Sequence, residues 1–404
     1  MQQQSRYEHY LENVLRYGAH AWLFALIFST FLAEILAIVL IGAWLLRRSF
    51  RRTPLDFAIL FFLGIRLLTI VTALSPATNL HALRKIPFVL VYFPLAHVAW
   101  RRGSNEVFKL LRTLVLAALT VSVYGILRVL FTPVWRLAST TSGATTLAMF
   151  LAAAFSISIC LLAKNELKPL RLWLVGGALM LLALAFTRCR APWIATLLVS
   201  FGVIKQWRRG VLILGLTACG ILLLLPGFRM RLDEVLRWPP QLGDRPIIWK
   251  AGLELASQRP WFGNGPESFV LLFHQRDELK DKRVGAWHNF GLQLWLESGV
   301  IGLMSFLVVT AQAFYCFRQM TSKDAPSLMR TLALALGAGL SSLLLAGLFG
   351  GLIGDPVIDL LLWGLLGLIS GSASHANSSA SLAATPSIFE HPMIAEKVIA
   401  RKAD

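Results

Sequence analysis

The chain has 404 residues, carries 39 Lys and Arg against 21 Asp and Glu for a formal net charge of +18, and is 56% hydrophobic but only 15% charged. Water-soluble domains hold about 25% charged residues, so the composition excludes an ordinary soluble enzyme and indicates a polytopic membrane protein. Nucleic-acid binding is also excluded, because the basic residues punctuate apolar runs and do not line one face of a soluble module with a docking motif.

Apolar runs predict spans at 20–46, 55–76, 85–100, 113–131, 145–163, 171–187, 191–204, 211–226, 290–317, 331–353 and 357–370, eleven in all. The domain plan is then an N-terminal segment 1–19, helices one to eight over 20–226, a soluble-looking helical lid over 227–289, helices nine to eleven over 290–370, and a Ser- and Ala-rich tail 371–404 expected to be disordered. The first run is about 27 residues, too long for a signal-peptide core, and is expected to be retained. A short amphipathic stretch at Tyr7 to Arg16 offers a twelfth helix.

Orientation follows from the basic loops. Arg47, Arg48, Arg51 and Arg52 follow span one, Arg101, Arg102, Lys109 and Arg112 follow span three, and Lys164, Lys168 and Arg171 follow span five. The opposite short segments hold only Arg6, Arg16, Arg84, Lys85, Arg136, Arg188 and Arg190. The first set is therefore assigned to the cytoplasm, which leaves the N-terminus and the lid outside. Glu34 and Arg66 reach similar depth in a hairpin of the first two spans, and an ion pair between them is expected because either charge alone is expensive in hydrocarbon. Cys160, Cys189, Cys219 and Cys316 have neither disulfide-framework nor zinc-site spacing.

Chemistry concentrates at the outer boundary. Spans six and seven join through Thr187-Arg188-Cys189-Arg190-Ala191-Pro192-Trp193, where two arginines oppose the positive-inside bias. Guanidinium groups give multi-donor recognition of phosphate oxygens, although snorkelling arginines beside Trp193 fit the same residues. In the lid, Gly243-Asp244-Arg245-Pro246-Ile247-Ile248-Trp249 opens a helix with Pro in its first turn. Arg245 then stands at a helix end that attracts anions, or pairs on the surface with Asp244. His288-Asn289-Phe290-Gly291 begins the re-entry into the membrane. A neutral imidazole there can take a proton from a sugar hydroxyl, and a lone interfacial His can equally be structural.

Three patterns recur together: Cys189-Arg190-x-x-Trp193 before a span; Arg245-Pro246-x-x-Trp249 followed by Pro260-x-x-Gly263-x-Gly265 and Phe269; and His288-Asn289 followed by Gly299-x-x-Gly302. Over 188–302 this resembles the O-antigen ligase and polymerase family, with Ile194 standing where the ligase pattern often has Leu. The resemblance implies an all-α, C-type membrane glycosyltransferase fold with eleven to twelve transmembrane helices and one long periplasmic helical loop, set in the bacterial inner membrane. It implies an inverting transfer of a glycan from undecaprenyl diphosphate, without metal or cofactor, to a sugar hydroxyl of lipid A-core (ligase) or to another lipid-linked repeat unit (polymerase). Carried over residue by residue, Arg190 and Arg245, with Arg188 beside them, grip the diphosphate, and His288 activates the acceptor. Physically, preplaced arginines stabilise a leaving group whose charge grows as the glycosidic bond breaks.

Arg128 and Arg136 are secondary candidates for acceptor phosphates, and His274, Glu267 and Glu254 for orienting His288 or binding sugar hydroxyls. Glu297 is expected in helix–helix hydrogen bonding, and Gly299 and Gly302 in close helix packing. The partners expected are the lipid-linked glycan, lipid A-core and the bilayer, with no nucleic acid. The rival of another class is a transporter of small anions such as bicarbonate, whose site belongs near the bilayer midplane.

Overall fold

The structure is a computed structural model that describes residues 2–47, 50–75, 79–132, 136–138, 140, 143–164, 166–204, 233, 244–273, 276, 279, 286–322 and 325–384. Every regular element among them is helical. Leu80–Phe131, Ala144–Ala163, Phe290–Met320, Ser327–Gly347 and Pro356–Ser378 are long and apolar enough to cross a membrane, with Thr30–Leu45 and Leu170–Phe186 as shorter apolar helices. The protein is thus an all-α, multi-pass membrane protein. The expected span 211–226, His274, Cys219 and most of 227–243 lie outside the described residues.

The first expected span is two helices. Helix α1 (Gln2–Ala25) ends in the middle of the apolar run, and α2 (Thr30–Leu45) starts after Ser29, whose hydroxyl caps it by accepting from the Leu32 amide at 3.2 Å. The two form a hairpin, with Gly18 packed on Leu40. Glu12 lies 3.1 Å from Arg47 just beyond α2 and 2.9 Å from His97. The N-terminal half of α1 therefore lies at the same end of the bundle as Arg47, which overturns the expectation that it faces away from the first basic loop. Arg6 and Arg16 move with it to the arginine-rich end. Splitting the run adds one helix to the eleven spans expected.

After α3 (Asp56–Val71), the chain descends through a 3₁₀ turn at Leu80–Lys85 and α4 (Ile86–Leu90) into α5 (Tyr92–Phe131). Two expected spans, 85–100 and 113–131, are the arms of this path, broken at Gly103, whose φ of 71° a side chain would strain. Helices α6 (Ala144–Ala163), α7 (Leu170–Phe186) and α8 (Arg190–Ile204) follow. The lid contributes α9 (Arg245–Gln258) and the short α10 (Phe269–Phe273); then come α11 (Phe290–Met320), α12 (Ser327–Gly347) and α13 (Pro356–Ala384).

Helices α6 and α13 form the centre, buried on nearly all sides. Without water to drive association in lipid, close approach of backbones does the packing work. On α13 a Cβ at Gly367 would meet the Tyr92 carbonyl oxygen at 2.5 Å, and one at Gly371 the Ala96 carbonyl oxygen at 2.1 Å. The expected end of the last span at 370 is accordingly not where the helix stops. It continues to Ala384, with Ser372, Ala373 and Ser374 buried and His375 Nδ1 2.9 Å from the Trp100 carbonyl.

A second apolar cluster, including Ile248, Leu255, Phe273, Trp287, Leu292 and Leu296, ties the lid helices to the first turns of α11. The joint itself is a helix break. At Gly299 (φ 67°) α11 opens, and the lid turn 260–265 enters: the Val300 amide donates to the Pro260 carbonyl (2.7 Å), and the Asn264 and Gly265 amides donate to the Leu296 (2.7 Å) and Glu297 (3.0 Å) carbonyls. A Cβ on Gly299 would sit 1.9 Å from the Trp261 carbonyl oxygen. Gly299 is thus a docking notch for the lid, beyond the simple helix packing expected. Gly299→Ala is expected to destabilise the protein by at least about 1–3 kcal/mol, through the left-handed backbone alone. An unchanged thermal unfolding midpoint in detergent would contradict this reading of the joint.

Beside the notch, Arg66 Nη1 donates to Glu297 Oε2 and to the Ser298 hydroxyl, both at 2.8 Å, and Gln293 Nε2 donates to Glu297 Oε1 at 2.9 Å. The partner of Arg66 is therefore Glu297 and not the expected Glu34. The half-buried arginine reaches from α3 to α11, where Glu297 already has hydrogen-bond support from Gln293.

Candidate functional site

The α7–α8 turn is built by its own residues. Thr187 caps α7 by donating its hydroxyl to the Leu184 carbonyl (2.6 Å), and Arg188 adopts a left-handed φ of 55° that reverses the chain within two residues. Trp193 Nε1 donates to the Leu184 carbonyl at 2.8 Å, locking the first turn of α8 onto the last turn of α7. Arg190 is consequently the first residue of α8. Arg136 joins from the α5–α6 connection, its Nε donating to the Thr187 carbonyl (2.7 Å) and its Nη2 to Cys189 Sγ (2.8 Å).

Arg245 is likewise the first residue of its helix, α9, with Pro246 in the opening turn as the sequence implied. Its Nη2 donates to the Phe349 carbonyl at 2.9 Å in the α12–α13 connection. Three segments thus deliver Arg136, Arg188, Arg190 and Arg245 to one cavity of about 200 Å³, closed on one side by Phe349 and Gly350. The first three residues of α8 line it, so the partial positive charge of the helix end adds to four guanidiniums. Burial first, and the charge of Arg190 second, press the Arg245 pKa below its ordinary value.

His288 stands immediately before α11, half-buried, with φ 51°. Its neighbour Asn289 is the N-cap: the side-chain oxygen accepts from the Leu292 amide at 2.9 Å, which explains the Asn of the His-Asn pair as a helix start. Burial, and then the charge of Arg245, hold the His288 pKa below 6.5. The imidazole is therefore neutral at neutral pH and lies within the field of Arg245. Arg188, Glu267 and His288, all marked in the sequence, are the non-glycine residues with positive φ among the described residues. Such backbone persists where surrounding structure over-determines it, commonly at functional sites.

Trp249 connects the two halves. It lies one helical turn beyond Arg245, donates its Nε1 to the Trp287 carbonyl at 3.0 Å, and turns its ring toward Phe349 at 6.1 Å between centroids. The residue before His288 and the residue that holds Arg245 are thereby fixed to one side chain. Trp249→Phe keeps an aromatic ring and loses the donor, at a cost of about 0.5–1.5 kcal/mol for the hydrogen bond. The expected signature is lower turnover with an unchanged KM for donor; unaltered turnover would rule out the link.

The remaining candidates separate from this cavity. Arg128 is exposed near the end of α5 and does not line it. Glu267 lies across the lid joint, 2.5 Å from Lys85 Nζ and 3.7 Å from Arg84. Burial pushes its carboxyl up, but the hydrogen bond and charge of Lys85 outweigh this and leave it below the usual carboxylate value. Glu254 pairs with Arg276 at 2.6 Å. Sequence reasoning missed the Phe349–Gly350 wall and the Trp249–Trp287 contact. A backbone carbonyl has no sequence signature, although Trp249 was already part of the loop pattern. Among the described residues no group of three His, Cys, Asp or Glu could hold a metal ion.

Fold and site together define a multi-pass, all-helical membrane protein with a polycationic cavity at one end and a neutral histidine beside it. Residues 175–307 match the family model described as O-antigen ligase (Wzy_C), a match consistent with an O-antigen ligase-type protein. The matched stretch contains Arg188, Arg190, Arg245, Glu267 and His288 and excludes Arg128, Arg136 and the Phe349 wall. The family carries ligase- or polymerase-type function, a membrane glycosyltransferase activity in general terms. No curated protein matches the sequence.

Proposed function

We propose that the protein is an O-antigen ligase of the bacterial inner membrane, transferring a glycan from undecaprenyl diphosphate to a sugar hydroxyl of lipid A-core on the periplasmic side. The observation that carries this reading is the convergence of four guanidiniums on the α8 N-terminus, with His288 in the field of Arg245. Arg190 and Arg245, supported by Arg188 and Arg136, hold the diphosphate. His288 takes the proton of the acceptor hydroxyl as its oxygen attacks the anomeric carbon. The bond from that carbon to the diphosphate breaks, and the electron pair leaves with the phosphate oxygen, where the guanidiniums stabilise it. A single displacement of this kind inverts the anomeric centre. The imidazolium then returns its proton to water.

The basic loops at the opposite end of the bundle, now joined by Arg6 and Arg16, support a periplasmic site. Polymerase action on a lipid-linked repeat unit is the second reading, since it uses the same donor chemistry. Exposed arginines on the site's side, Arg128 among them, favour a phosphorylated core as acceptor. The position of His288 at a helix start beside Arg245 speaks against an anion transporter, whose site belongs near the midplane in broken helices. Purified protein given undecaprenyl-diphosphate glycan and lipid A-core should place product on lipid A-core. Lengthened lipid-linked glycan would select the polymerase instead, and folded protein yielding neither product would overturn both.

A further inference from the structure

A second basic cavity lies at the other end of the bundle. Helix α6 begins beside the arginine cavity at Thr145 and ends at Lys164; α12 begins at Ser327 and reaches that cavity at Ala346. The 20 residues of α6 span about 30 Å at ~1.5 Å per residue, the thickness of the hydrocarbon layer. Lys164, Glu166, Thr321, Ser327 and Arg330 line a cavity of about 590 Å³ there. Through Phe317 and Leu334 it continues into an apolar groove of about 340 Å³ between α8, α11 and α12. The groove runs from Leu334 to Leu344 on α12, about 15 Å of helix, which is the depth of one leaflet.

We infer that this cavity and groove bind one anionic glycerophospholipid of the leaflet opposite the arginine cavity, headgroup in the polar part and one acyl chain in the groove. Charge complementarity selects the occupant. Among the described lining residues, two cations and one carboxylate leave a single positive charge, which a phosphodiester of charge −1 balances. Lys164 and Arg330 face the phosphate, the hydroxyls of Thr321 and Ser327 supply further polar contacts, and Glu166 accepts from a hydroxyl-bearing headgroup such as that of phosphatidylglycerol. A zwitterionic phosphatidylcholine offers neither the charge nor the donor. The site is independent of the catalytic reading and uses none of its residues.

The test is native mass spectrometry of the full-length, detergent-purified protein titrated with phosphatidylglycerol, phosphatidylcholine or inorganic phosphate. Wild type should retain phosphatidylglycerol at least tenfold better than phosphatidylcholine. Lys164→Gln with Arg330→Gln, both exposed side chains, should remove that preference. Ser341→Phe, which fills the groove from an exposed position, should weaken retention while leaving the charges in place. Equal retention of both lipids, full displacement by inorganic phosphate, an unchanged preference in the double glutamine variant, or unchanged retention in Ser341→Phe overturns the inference. So does retention of no lipid, the result if the chain's own 205–243 fills the groove. Glycan transfer by the wild type is read separately, so loss of one proposal leaves the other standing.

Discussion

Alanine at position 288 is expected to slow glycan transfer about 10²- to 10⁴-fold, the range that a positioned general base contributes. Donor binding should be nearly unchanged, because the imidazole faces the acceptor and the guanidiniums hold the diphosphate. The pH profile carries the sign. Burial and the Arg245 charge lower the His288 pKa, so the neutral, basic form persists to below pH 6.5, and activity should fall only as pH drops through that depressed value. The stability contribution runs the same way: it is present above the unfolded-state pKa and lost as acid forces a charge onto a half-buried ring. Arg245→Gln removes one of the two causes and should move the acid limb upward. The rate of His288 modification by diethylpyrocarbonate at graded pH reads that shift even where turnover is low. An acid limb at or above 6.5 in the wild type, or full activity in His288→Ala, would remove His288 from the chemistry.

The second large effect is expected at Arg190. Truncation to alanine should lower the transfer rate about 10²- to 10³-fold, as removal of one donor to a developing anion does elsewhere. Lysine is the sharper substitution, because it keeps the charge but loses the planar fork that meets two phosphate oxygens at once. Arg190→Lys should retain donor affinity within a few-fold and still lose most of the rate. Arg128→Ala, exposed and outside the cavity, should leave donor use unaltered. Wild-type turnover in Arg190→Lys would mean that charge alone suffices and that bidentate gripping is not part of the mechanism.

Much of this arrangement was legible in the chain itself. Uncharged runs located α3, α6, α7, α8 and α12 to within a few residues, because hydrocarbon forbids unsatisfied backbone and so forces each run into a helix. Arg101 and Arg102, read as following one span and preceding the next, fall beside the break in α5, and Asp244 to Trp249 marked the start of α9. The α1–α2 turn was hidden, since Leu26, Ile27 and Phe28 are as apolar as a span and only Ser29 signals a cap. The end of α13 was misread for the opposite reason. Ser, Ala and Gly suit a solvated tail, and they equally suit a helix packed backbone to backbone on α5. The Arg66–Glu297 pair joins residues 231 apart, and local spacing carries no trace of such a contact.

At the site, Arg188, Arg190, Arg245 and His288 stood out because charge at a membrane boundary must be compensated. Arg136 gave a weaker signal: it lies in a connection and reaches the cavity only through the Thr187 carbonyl and Cys189. Glu267 looked equally suited to the chemistry, yet folding gives it to Lys85 and the lid joint. Sequence spacing identified which groups carry charge; tertiary packing decided which of them share a cavity.

The most direct measurement is a cryo-electron-microscopy reconstruction of the purified protein with an undecaprenyl-diphosphate-linked glycan bound. The account predicts diphosphate density between the guanidiniums of Arg190 and Arg245, below the Phe349 wall, with the first sugar turned toward His288. Diphosphate seated elsewhere, for instance against Lys164 and Arg330, or a sugar on the far side of Arg245 from His288, would contradict it.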